Sequence, residues 1–234
     1  MMKKSKSFLA LLLGVGIAGH SLAQQSLVER QQFVDIKSVI ENVEYDIRYA
    51  TSNNFVGERI DGYLASKCLI HRDAMSSLRD IVNELAKQDL RLKFFDCYRP
   101  EKAVAHFMSW ANDLSDTKTK ADYYPNLDKS ALVGPYIAER SGHSRGFTVD
   151  LTLVRKDGSG QYVELDMGSS YDLFDPLSNT DNPGINASQR KNRQLLKTVM
   201  ESHGFAAYNM EWWHFTYRDM TTQQKQQYYD FDVN

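Results

Sequence analysis

An excess of positive charge is missing from this chain. Its 28 Lys and Arg face 30 Asp and Glu, a formal net charge of −2, so nothing in it is basic enough to suggest a nucleic-acid partner. Long apolar runs are scarce. One stretch, Phe8 to Ala18, stands out, and it is too short to span a bilayer. No Cys follows it to carry a lipid, which favours a soluble exported protein over a lipoprotein. No internal repeat and no linker divides the remainder, which is long enough for one domain with a real core. Cysteine is nearly absent: Cys68 and Cys97 are the only two.

What is present begins with a leader. Lys3, Lys4 and Lys6, the apolar core and Ser21-Leu22-Ala23 have the layout of a secretory signal with a small-x-small cleavage site. Residues 1–23 are therefore expected to be removed, leaving a mature domain over 24–234 with no stable membrane anchor. Loss of the three lysines takes the formal charge from −2 to about −5. The expected location is periplasmic or secreted. In an oxidising compartment two leftover thiols pair more often than they stay free, so a Cys68–Cys97 disulfide is expected.

The elements come in mixed order. Val43 to Tyr49 alternates and predicts a strand. After it, residues 51–62 read as a loop that either rims a site or simply connects. Ala74, Leu78, Ile81, Val82 and Leu85 recur at helical spacing. A second helix after Pro100 should bury Ala103, Val104, Phe107, Met108, Trp110 and Leu114. Within it, His106 reads as structural and is the reserve candidate for a metal ligand. Residues 115–135 form a polar excursion of a length often used for lids or binding loops. The run Lys156 to Gly160 marks a hairpin turn, with Tyr162 to Leu165 returning. Leu195, Leu196, Val199 and Met200 form a third helix stopped at Gly204, and a strand from Tyr208 ends at His214. Helices packed on a mainly antiparallel sheet, an α+β domain, fit this order.

Three stretches carry chemistry. Phe147, Val149, Leu151 and Leu153 alternate with Thr148, Asp150 and Thr152, which predicts a strand with Asp150 on its polar face. Gly142 and Gly146 bracket His143 in the loop entering that strand, and their backbone freedom lets the ring turn toward the same spot. A surface loop before an ordinary strand would give the same letters. Near the C-terminus, Glu211-Trp212-Trp213-His214 reads either as a buried aromatic strand with a core histidine or as the other half of a site. Glu211 and His214 are three apart, so on a regular strand they face opposite ways; joint action needs a helical turn or a bulge. Together His143, Asp150 and His214 would offer one Zn²⁺ three ligands and an open fourth position, with Glu211 as an unligated base. A third stretch, a strand over Leu90, Leu92 and Phe94, leads to Arg99. Arg99 is either a fixed cation for an oxyanion or carboxylate, or a structural partner of Asp96 or Glu101.

Four motifs, taken together, resemble a known family. Ser141-x-His143-x-x-Gly146-x-x-x-Asp150, Glu211-Trp212-Trp213-His214, Asp96-x-Tyr98-Arg99-Pro100 and Met167-Gly168-x-x-Tyr171-Asp172 are similar to those of the VanX-type D-alanyl-D-alanine dipeptidases, among the zinc D,D-peptidases. The resemblance implies the same α+β class, one Zn²⁺ per chain held by His143, Asp150 and His214, and Glu211 as general base. It also implies that Arg99 stabilises the tetrahedral intermediate and that Ser141 and Asp172 help hold the dipeptide, Asp172 at its amino group. One position departs: Thr148 stands where the family usually has Ala. The expected substrate is a small D-amino-acid peptide, D-Ala-D-Ala first. Export sets this apart from a cytoplasmic role and fits turnover or scavenging of peptidoglycan-derived peptides. Two other readings stay open: a zinc D,D-carboxypeptidase trimming stem peptides, and a non-catalytic zinc-containing wall-binding module.

Overall fold

The computed structural model describes Gln24 and residues 27–234, so the expected leader over residues 1–23 lies outside the described residues. Short strands β1 (Phe33–Asp35), β2 (Val43–Tyr45) and β3 (Leu69–His71) come first. Helix α1 (Met75–Ala86), strand β4 (Leu90–Asp96), helix α2 (Glu101–Asn112) and the single turn α3 (Lys120–Tyr123) follow. Then come β5 (Thr148–Lys156), its hairpin partner β6 (Tyr162–Glu164), helix α4 (Ala187–Ser202), β7 (Phe205–Tyr208), β8 (Glu211–Tyr217) and α5 (Thr222–Gln226).

One sheet runs in the order β2-β4-β5-β8-β7, with β6 also on β5. Only β2 and β4 are parallel; the other pairs are antiparallel. The domain is thus α+β with a mainly antiparallel sheet, while β1 and β3 pair separately. Spacing explains the helices: α1 buries Met75, Leu78, Ile81, Val82 and Leu85 along one stripe, and lies against β4. An Asn186–Gln189 capping box starts α4, and Gly204 at φ 88° turns the chain out of it.

Strand β5 is covered on both sides. Thr148, Asp150 and Thr152 are as buried as Val149, Leu151 and Leu153, so its polar face is an interior surface. The polar groups there must be satisfied by protein or by a ligand.

Three expectations about elements change. The strand read from Val43 to Tyr49 stops at Tyr45, and Arg48–Ala50 is a 3₁₀ turn that buries Tyr49. Helix α2 ends at Asn112, leaving Leu114 59% exposed instead of on its apolar face. The strand read from Tyr208 to His214 is a hairpin, with Asn209 and Met210 as its turn and His214 within the second strand.

A disulfide joins Cys68 to Cys97 with Cα atoms 5.2 Å apart. It ties the residue before β3 to the residue after β4. Among the described residues, no helix is long and apolar enough to cross a membrane.

Candidate active site

Three strands meet where the chemistry gathers. Asp150 pairs with His214 of β8 on one side and with Asp96 of β4 on the other. Two ladders carry irregularities near this point. Between Phe94 and Asp96 the β4–β5 register slips, and between Ala207 and Tyr208 the β7–β8 register jumps, so that Phe215 is followed by Glu211 as the next partner. That second bulge reconciles the three-residue spacing with a shared site: Glu211 Oε2 lies 3.5 Å from His214 Nδ1.

His143 arrives from a 3₁₀ turn, Gly142–Arg145. Ser141 caps the turn, its Oγ accepting from the His143 N–H at 3.2 Å. Gly146 ends the turn at φ 77°, and a Cβ there would collide with the Phe33 ring. His143 Nδ1–H donates to the Cys97 carbonyl at 2.7 Å, which leaves the Nε2 lone pair facing inward.

The donors converge. His143 Nε2 is 3.3 Å from Asp150 Oδ1 and 3.3 Å from His214 Nδ1; Asp150 Oδ1 is 3.1 Å from His214 Nδ1. All three ligand atoms lie within 4.8 Å of one another. Asp150 Oδ1 is buried and no hydrogen bond satisfies it. A buried anionic oxygen without a donor is costly unless a positive charge sits beside it. Two imidazole nitrogens and one carboxylate oxygen around that point form a donor set suited to Zn²⁺.

Electrostatics sharpen the same spot. Burial opposes the Asp150 charge, but the two imidazoles hold its carboxyl well below the usual range. Burial lowers His143. For His214 burial acts the same way, and contact with Asp150 outweighs it. Glu211, buried and beside Asp150, is pushed up to about 7, chiefly by burial. A carboxyl poised there can take and release a proton near neutral pH.

Arg99 follows β4. Burial works against its charge, and Asp96 and its neighbours more than restore it. Asp96 Oδ2 accepts from both Nε and Nη2 at 2.9 Å. Nη1 reaches Ser141 Oγ at 3.4 Å, and the guanidinium carbon stands 5.1 Å from the Tyr49 and Phe107 ring centres. The structural reading is realised, since Asp96 fixes Arg99, and the fork also borders the cavity.

Asp172 sits at φ 60°, buried, its Oδ2 accepting from the Tyr49 hydroxyl at 2.9 Å. Burial first, then repulsion by Asp150, raises its carboxyl well above the ordinary range. Ser141, Arg99, Asp172, Glu211 and the three candidate ligands all line one cavity of about 200 Å³. Residues 134–138, where the polar excursion ends and the chain runs on, also line it, and the Tyr208 hydroxyl donates to the Pro135 carbonyl at 3.3 Å.

Other candidates fall outside. His106 Nδ1 accepts from the Asp61 N–H and its Nε2 faces Glu58, away from the three donors. Thr148 does not line the cavity; its hydroxyl lies 3.0 Å from that of Thr216. Tyr49 was missed in the sequence because nothing in a strand-like alternation marks a hydroxyl that will meet Asp172. Asp96 reads in the sequence only as a structural partner for Arg99, and Tyr171 stands inside its motif as a letter without a role.

The family model described as D-ala-D-ala dipeptidase matches residues 29–234 of this chain. A D-alanyl-D-alanine dipeptidase of Enterococcus faecium is 38% identical over 202 residues, covering 86% of this chain and 98% of that protein. One of Enterococcus faecalis is 38% identical over 184 residues, covering 78% and 90%. One of Streptomyces coelicolor is 35% identical over 202 residues, covering 86% and 98%. With a match of this extent to whole relatives, the chain belongs to the D-Ala-D-Ala dipeptidase family.

Proposed function

We propose that this protein hydrolyses D-Ala-D-Ala to D-alanine with one Zn²⁺ held by His143, Asp150 and His214, outside the cytoplasm. One observation carries the reading: three lone pairs, those of His143 and Asp150 on buried residues, converge beside an unligated carboxyl, and one of them, Asp150 Oδ1, has no hydrogen bond. Export is supported by the leader-like residues 1–23 and by the disulfide. The role that fits is turnover or scavenging of peptides released from peptidoglycan.

When bound, Zn²⁺ supplies a Lewis acid that polarises a carbonyl and acidifies water to near neutrality. The protein does the rest. Water oxygen bonds to the carbonyl carbon, the C–N bond breaks, and Glu211 takes the proton from water and delivers it to the departing amine. Arg99, locked by Asp96, presents fixed positive charge to the developing oxyanion and needs no reorganisation. Asp172 holds the ammonium of the dipeptide, and the Ser141 hydroxyl helps orient it.

Size supports a dipeptide. At about 200 Å³ the cavity, with Asp172 in its lining, falls below the ~300–1,000 Å³ common for drug-sized ligands. Release of D-alanine from free D-Ala-D-Ala and from a stem pentapeptide, assayed side by side, tests the assignment. Fast dipeptide turnover and a slow pentapeptide are expected. Preference for the pentapeptide would make it a carboxypeptidase, and binding of wall peptides without cleavage by the zinc-loaded protein would make it a binding module.

A further inference from the structure

Asp150 has two oxygens with different surroundings. Oδ1 faces the imidazoles and accepts no hydrogen bond. Oδ2 receives the Tyr171 hydroxyl at 3.1 Å and lies 3.5 Å from Arg99 Nη2. A carboxylate with donors fixed on one oxygen cannot rotate freely, and it offers only the other to a cation.

Tyr171 is built to act this way. It is buried, stacked on Phe95 at 4.5 Å and 19°, and set edgewise to Trp213 at 5.4 Å and 73°. Its ring has no room to swing. The hydroxyl has one proton and two oxygens in reach, Asp150 Oδ2 and the Tyr49 hydroxyl at 3.2 Å. Tyr49 gives its own proton to Asp172, and a carboxylate is the stronger acceptor, so the Tyr171 proton goes to Asp150. The next residue, Asp172, takes a left-handed conformation. Adjacent residues thus both serve the site, Tyr171 at the candidate ligand and Asp172 in the cavity lining.

We infer that Tyr171 is a positioning residue: its hydroxyl occupies Oδ2 of Asp150 and fixes that carboxylate as a one-oxygen metal ligand. This rests on the reading of His143, Asp150 and His214 as the zinc site. Tyr171→Phe is the test, because it removes the hydroxyl and keeps the ring that packs on Phe95 and Trp213.

Three measurements on the full mature chain decide the matter: Zn²⁺ affinity by chelator competition, the visible spectrum of the Co²⁺-substituted protein, and the melting temperature without metal. The expected result is a ~10–100-fold loss of Zn²⁺ affinity, an altered Co²⁺ spectrum as the carboxylate changes its mode of binding, and an unchanged metal-free melting temperature. Wild-type affinity and spectrum in Tyr171→Phe would overturn this inference and leave the zinc reading standing. So would an affinity loss that comes with a lower metal-free melting temperature and an unchanged spectrum, because Tyr171 would then serve only the fold. A wild-type protein that binds no stoichiometric Zn²⁺ would overturn both.

Discussion

Arg99 shows how one side chain can be fixed by a structural partner and still border the cavity. Asp96 binds two of its nitrogens, so the charge is held in place before any substrate arrives. Removing such a preorganised donor costs on the order of 10²-fold or more in kcat. Arg99→Ala should therefore retain zinc and lose at least that much turnover, read as D-alanine release. Near-wild-type turnover would take Arg99 out of the mechanism. Glu211 makes a prediction about pH. Its folded value, about 7, lies above its ordinary 4.5, so between these limits the folded state binds more protons than the unfolded state. Stability of the metal-free protein must then fall as pH rises across that window. Glu211→Gln should flatten the fall in denaturant melts; an equally steep fall in the variant would assign it to other groups. At this scale the three donors and Glu211 were legible because their motifs resemble a family. Tyr49 and Tyr171 were not, because their roles depend on which hydroxyl meets which carboxylate, and residues far apart in the chain decide that.

At the scale of elements, β4, β5 and β8 bring Arg99, Asp150 and His214 together, and the β7–β8 irregularity brings Glu211 to the same point. Alternation made β4 and β5 readable in advance, since each has a clear period of two. It misled at β2, where the pattern runs on through Tyr49 while the backbone turns. It also merged β7 and β8, because Asn209-Met210 lacks the glycine of a strong hairpin signal. Burial of the Thr148, Asp150 and Thr152 face was illegible for another reason: a polar strand face looks the same whether water or other side chains cover it. The disulfide belongs here, since Cys97 carries the carbonyl that holds His143. Cross-linking residues 29 apart contributes on the order of 3 to 4 kcal/mol by loop closure. Cys68→Ala/Cys97→Ala should lower stability in denaturant melts by about that amount and weaken Zn²⁺ binding as the Cys97 carbonyl loosens. Wild-type stability and metal affinity in that variant would contradict both statements.

Across the whole molecule, the α+β class was readable from the mixed order of elements, and the sheet confirms it with its single parallel pair. The cavity was not readable, because it forms between segments distant in sequence: residues 134–138, Tyr49, Asp172 and the start of β8. All of them are organised around the three donor atoms that lie within 4.8 Å of one another. That convergence is the central claim, and metal content tests it most directly. Elemental analysis of the purified wild type and of His214→Ala, with D-alanine release from D-Ala-D-Ala measured in parallel, should give about one Zn²⁺ per wild-type chain and active enzyme. The variant should lose most of both. A wild type that turns over the dipeptide without metal, or a variant that keeps full zinc and full activity, would contradict the account.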